Sequence, residues 1–157
     1  MLSQVEPATA RFTSISTTID SWLNERQQLL IEYCAIAGLT ANKLDEQQTL
    51  PSNEELAQFC QILMDYVSAG HFEIFDIMAT EDPTGERLRA SLYPSLLEST
   101  DLALTFNDRY ADIDIIEVPV EFEAMIAKLG ETLAIRFELE DKLIQHLSDT
   151  LQATAEI

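Results

Sequence analysis

FEAMIAKLGETLAIRFELEDKLIQHL, residues 122–147, is the stretch that decides the fold. Alternating steps of four and three residues pick out Phe122, Ile126, Leu129, Leu133, Arg136, Glu140, Leu143 and Leu147. Six of these eight are apolar, and the rhythm is that of one face of a long α-helix lying against other helices. A half-buried strand would alternate at every second residue instead. Pro119 suits the first turn of this helix, which is expected to continue to about Ala153.

Reading back towards the N-terminus, three more long helices follow from the same periodicity. The third is expected from Glu86 to Ala111, on a stripe of Leu92, Leu96, Ser99, Ala103, Phe106 and Tyr110. Pro94 lies inside it, which predicts a kink or a break into two pieces. Residues 112–118 alternate apolar and acidic side chains but have no partner strand, and are read as a loop. The second helix opens at Pro51 and Ser52, where Ser52 and Glu55 have the spacing of a capping box. Its stripe runs Leu56, Phe59, Leu63, Tyr66, Gly70, Ile74 and Ile77, and it should end near Ala79, before the turn signal of residues 81–85. The first long helix is expected from Ser16 to Ala37, on Ile15, Ile19, Trp22, Leu29, Tyr33 and Ile36, with Gly38 as its left-handed cap. Residues 39–51 read as a connecting loop, and a short extra helix is expected ahead of Ser16. Four amphipathic helices joined by short loops pack most simply as an all-α, antiparallel up-and-down four-helix bundle, here one domain over residues 1–157 with a kinked third helix.

Composition agrees. A chain of 157 residues with 46% hydrophobic content can bury a core without staples, and its 4 Gly and 5 Pro leave little punctuation for a many-stranded fold. The 28 acidic residues outnumber the 9 basic ones, giving a formal net charge of −19. Direct nucleic-acid binding needs a Lys/Arg footprint that is missing here, and an anionic membrane is disfavoured for the same reason. A basic protein partner fits such a field, while plain solubility is the simpler account of it. Cys34 and Cys60 sit within apolar helical patterns and read as small buried hydrophobes in a reducing compartment. Residues 1–12 lack the pattern of a signal peptide, and no apolar run reaches the roughly 18 residues of a membrane span, so a cytoplasmic location is expected.

The two charges on the decisive seam, Arg136 and Glu140, are one turn apart and able to pair. The same template sets Arg26 between Trp22 and Leu29 on the first helix. Charge facing a bundle interior is costly unless paired, so these residues predict an internal polar layer, with Asp141 or His71 as further contributors. The alternative is that the helices rotate and these side chains snorkel outward. A polar interior also raises a metal site, but the Glu-x-x-His pairs of di-iron bundles are absent: Ser68 and Leu143 precede His71 and His146 by three. No metal or other cofactor is expected. No metalloprotease, nucleophile-elbow or phosphate-loop motif points to an enzyme.

Three stretches, in order and at compatible spacings, carry a family resemblance. Asp65-Tyr66-Val67-Ser68-Ala69-Gly70-His71-Phe72-Glu73-Ile74-Phe75, preceded by Phe59-Cys60-Gln61, resembles the signature helix of the Rsd/AlgQ family, the regulators of sigma D. Asp20-x-Trp22-Leu23-x-x-Arg26-x-x-Leu29-Leu30 is similar to that family's first helix, and Arg136-Phe137-x-Leu139-Glu140-Asp141-Lys142-Leu143-Ile144 to its last. Residues 39–51 and 81–89 fit the pattern poorly, and nothing is carried over to them. The resemblance implies an anti-sigma factor that binds the primary sigma factor of bacterial RNA polymerase, mainly through region four, and keeps it from core enzyme. Region four is a helix-turn-helix module with a basic DNA-reading face, a chemically sensible target for an acidic bundle.

The expected contact surface lies on the second helix. Gln58, Gln61, Asp65, Ser68 and Phe72 share one stripe beside the core stripe, and an aromatic anchor ringed by polar groups has the makeup of an interface hot spot. Asp65, Ser68 and Phe72 are the leading partner-binding residues, with Asp20 and Trp22 as secondary ones, although Trp22 also falls on the core stripe. Gly70 is expected to permit close helix approach. A helical-bundle sensor or adaptor for a small ligand or another regulatory protein remains the competing reading.

Overall fold

A computed structural model describes residues 2–38, 50–76, 83–112 and 118–155; the side chains of 2–12, 72, 73, 151 and 153–155 are outside the described residues. The described residues form four helical rods: α1, Leu2–Ile36; α2, Asn53–Ala69, which runs on into a π-helical segment, Gly70–Phe75; α3, Pro83–Tyr110; and α4, Pro119–Ala155. No strand is present among the described residues. The expected loops at 39–49 and 113–117, the turn at 81–82 and the end of the second helix at 77–79 lie outside them.

The helices start and stop for local reasons. At Ser52 both halves of the capping box are made: its Oγ accepts from the Glu55 N–H at 3.2 Å, and its own N–H donates to Glu55 Oε1. Gly38 follows α1 at φ 74°, a left-handed value that glycine adopts without a Cβ penalty. One expectation gives way. In place of a short helix and a separate first rod, α1 is continuous from Leu2. Within it, Thr17 Oγ1 donates to the Thr13 carbonyl and Thr18 Oγ1 to the Ser14 carbonyl. Of the kink or break expected at Pro94, the break is absent: a single helix spans the proline, with Leu88 and Leu92 before it and Leu96 after it packed on the core.

Neighbours around the bundle are α1–α2, α2–α3, α3–α4 and α4–α1. Paired contacts fix their directions. Trp22 and Tyr33 of α1 meet Tyr66 and Phe59 of α2, so α1 and α2 run antiparallel. Arg26 and Tyr33 meet Glu140 and Ile126, which sets α4 antiparallel to α1. At one end the core is a ladder of rings, Tyr33–Phe59–Phe106–Tyr110–Phe122, with successive centroids 4.9–6.3 Å apart and mostly tilted or edge-on. At the other end Trp22, Tyr66, Phe75 and Phe137 surround charged groups. Cys60 is buried and Cys34 half-buried, both as free thiols, and burial pushes the Cys60 thiol up to about 11.

The π segment has a packing cause. At α spacing Ile74 follows Gly70 onto the core stripe but Phe75 swings off it. A wider turn, which stacks residue i+5 over i, lets Ile74 and Phe75 both enter the core, and both are buried. Gly70 sits where this segment begins, so close to α1 that a Cβ there would lie 2.7 Å from Trp22 Cζ2. Gly130 of α4 plays the same part at the ring-ladder end. A Cβ there would overlap the Tyr33 hydroxyl, which donates to the Ile126 carbonyl at 2.8 Å.

Gly70→Ala and Gly130→Ala should therefore each lower stability by about 1–3 kcal/mol, overpacking outweighing the helix propensity gained. Denaturant midpoints should fall at unchanged slope. A rise in either midpoint would mean the neighbouring ring yields freely.

Candidate functional site

Two features of α2 converge at Tyr66: a buried polar layer behind it and an exposed polar face in front. The layer is built on the one-turn pair of α4. Arg136 and Glu140 are both fully buried. Arg136 Nε donates to Glu140 Oε2 at 2.9 Å, while its Nη1 reaches across to α3, to Ser99 Oγ at 2.9 Å, Thr100 Oγ1 at 2.8 Å and the Leu96 carbonyl at 3.3 Å. Its Nη2 has no hydrogen-bond partner among the described residues and lies on the Gly70 side, with the guanidinium 5.9 Å from the Phe75 ring.

Glu140 Oε1 takes the other two donors, a short hydrogen bond from the Tyr66 hydroxyl and Arg26 Nη2 at 3.3 Å. Arg26 also donates through Nε to the Tyr66 oxygen at 3.0 Å and through Nη1 to Asp141 at 2.6 Å. Its guanidinium lies 4.9 Å from the Phe137 ring. Arg26 is 13% exposed and Asp141 61%, so the network runs from the buried centre to the surface on the α1–α4 side.

Burial raises the Glu140 pKa above the ordinary carboxylate value, and Arg136, the Tyr66 hydrogen bond and Arg26 pull it back. Burial, then the neighbouring Glu140, raise that of Tyr66, so its hydroxyl keeps its proton. For Arg26 burial works against the cation, but Tyr66, Asp141 and Glu140 outweigh it and its pKa is raised.

Arg26, Arg136, Glu140 and Asp141 are thus brought together. His71 is half-buried on the π segment, its ring edge-on to Phe75 at 6.2 Å. Periodicity places Tyr66 and Ser99 on core stripes without assigning their hydroxyls. A hydroxyl on an otherwise apolar stripe is the signal, since such a group needs a partner when buried. Phe75 has no sequence signal, because its burial depends on the π turn.

On the outer side of α2, Gln58, Gln61, Asp65 and Ser68 are exposed, and Gln61 Nε2 donates to Asp65 Oδ1 at 2.9 Å. A groove of about 310 Å3 runs between α1 and α2, lined by Ser21, Asn24, Glu25 and Gln28 on one side and Ile62, Asp65 and Tyr66 on the other. Asp20 is exposed on α1 but is not part of the groove lining. Trp22 is a correction to the expected surface. It is 1% exposed, stacked on Tyr66 at 5.2 Å, and its indole N–H donates to the Tyr66 carbonyl at 3.2 Å, so it offers a partner nothing. The side chain of Phe72 lies outside the described residues. Among the described residues no three His, Cys, Asp or Glu side chains are grouped to hold a metal ion, and no helix is long and apolar enough to cross a membrane.

Removing Arg136 tests the layer. Arg136→Met leaves Glu140 buried without its closest cation and should cost about 3–5 kcal/mol at pH ~7. The Glu140 pKa then climbs further above its unfolded value. A group with a raised folded pKa favours folding below the unfolded pKa of roughly 4.3 and loses that contribution as pH rises through the folded one. Part of the deficit should therefore be recovered on acidification to pH ~5, read as unfolding free energies at both values. Equal deficits would mean that Glu140 stays ionised in the variant.

With this geometry in place, comparison with known proteins gives the chain its relatives. A family model described as Regulator of RNA polymerase sigma(70) subunit, Rsd/AlgQ, matches residues 1–148. The chain is 36% identical over 158 residues to Regulator of sigma D of Yersinia pseudotuberculosis, covering 98% of this chain and 92% of that protein. Identity to Regulator of sigma D of Yersinia enterocolitica is 37% over 159 residues, covering 98% and 93%. For Regulator of sigma D of Salmonella paratyphi A it is 33% over 160 residues, covering 100% and 98%. An acidic four-helix bundle with this sequence belongs to the Rsd/AlgQ family of regulators of the sigma(70) subunit of RNA polymerase.

Proposed function

We propose that this regulator acts as an anti-sigma factor: it binds region four of the primary sigma factor through the α1–α2 face and withholds sigma from core enzyme. The observation that carries the reading is the exposed row Gln58, Gln61, Asp65 and Ser68, set beside a groove whose floor includes the half-buried Ile62. Polar and acidic groups around an apolar floor suit a partner that presents basic side chains around an apolar core. A net charge of −19 adds long-range attraction to a basic helix-turn-helix module and opposes binding to DNA itself. Asp20 on α1 belongs to the same acidic field. Phe72 enters on the family resemblance, within the signature stretch that also holds Asp65 and Ser68. No step in this mechanism makes or breaks a covalent bond, and the cytoplasm is where the partner would be met.

Calorimetric titration with isolated sigma region four should give saturable one-to-one binding that weakens as salt is raised. Asp65→Ala should reduce the affinity by about 1–3 kcal/mol without altering the helical signal. Wild-type affinity in that variant would move the interface off this face, and an absence of binding by the parent protein would send the search to another sigma region.

A further inference from the structure

We propose that the buried polar layer, through the Tyr66 hydroxyl, positions the wall of the partner-binding groove, making Glu140 and Arg26 positioning residues for a surface that neither lines. This rests on the reading that the α1–α2 face binds the partner. Among the described residues Tyr66 is the one common to both features: it is fully buried beneath the groove beside Ile62 and Asp65, and its hydroxyl is held from behind. That hydroxyl donates to Glu140 and accepts from Arg26, so its oxygen is fixed by two charged groups from two other helices. Hydrogen bonds to charged groups are short, strong and directional, whereas the ring contacts of Tyr66 with Trp22 and Phe137 are less directional. Asp65 and Ile62 stand on the same helix as Tyr66, one residue and one turn away, so fixing the tyrosine fixes the rotation of α2 that presents them. A preorganised face avoids the ordering cost that a loose one meets on binding.

The test is a double-mutant cycle on the full-length protein, titrated with sigma region four. Tyr66→Phe keeps the ring and its stacking and removes only the hydroxyl, while Glu140→Gln keeps the shape and removes the charge. Each should weaken binding about tenfold, and the double variant about tenfold rather than a hundredfold, because both act through one contact. Gly130→Ala, destabilising at the far end of the bundle, should bind as the parent does. Amide NMR spectra of the free proteins should show the same displacements at Ser21, Asn24, Ile62 and Asp65 in Tyr66→Phe and Glu140→Gln.

Parent-like affinity in Tyr66→Phe where Asp65→Ala has lost affinity would overturn the proposal, as would additive losses in the double variant. Should the parent not bind region four at all, the functional reading fails, and the spectra still decide the positioning role: unmoved groove amides overturn it.

Discussion

The Glu140 carboxylate is the point on which the geometry of this bundle depends. One oxygen takes Arg136 from its own helix, and the other takes Tyr66 from α2 and Arg26 from α1. Arg136 carries the connection on to Ser99, Thr100 and the Leu96 carbonyl of α3. A single acid therefore sets the relative rotation of all four helices. An apolar seam alone is tolerant of small slides and turns, since one methyl group packs much as another does. Charged hydrogen bonds are not tolerant in this way. The layer is best understood as a source of uniqueness: a buried ion pair gains little net stability over well-packed hydrophobes, yet leaving one member unpaired is costly.

The bundle divides its labour along its length. Rings fill the end around Phe59 and Phe106, where Gly130 admits the Tyr33 hydroxyl. Charges fill the end around Arg136, where Gly70 admits Trp22. Both glycines are places where a side chain has been given up so that an aromatic ring can come close. The polar end is also the one beneath the α1–α2 groove, so the region of strictest internal geometry stands behind the face proposed to meet the partner.

Much of this was legible in the sequence, and the limits have physical causes. Spacing alone identified the α4 seam with its two charges, the capping box at Ser52 and the left-handed Gly38, because each is a local rule read over a few residues. Arg26, Arg136 and Glu140 could be assigned to the interior because a charge on an apolar stripe breaks a pattern. The break expected ahead of Ser16 was not a break, since α1 runs on without interruption from Leu2. The π turn at Gly70 was invisible, because it answers to Trp22 and Arg136 on other helices. The partner roles proposed for Asp65 and Ser68 rest on likeness to a family and on exposure, and Trp22 shows how a family-like stretch can mix surface residues with core ones.

Trp22 is the only tryptophan in the chain, and it lies against Gly70, Tyr66 and the polar layer. Its near-ultraviolet emission is therefore a built-in gauge of one end of the bundle. The indole is shielded from water, stacked on a tyrosine and tied by its N–H to the carbonyl of Tyr66, which also takes the Gly70 N–H. Loosening of that end alters the colour and yield of the emitted light, while fraying at the ring-ladder end passes unseen. Nature has placed a single optical label beside the residue that joins the inside of this regulator to its outer face.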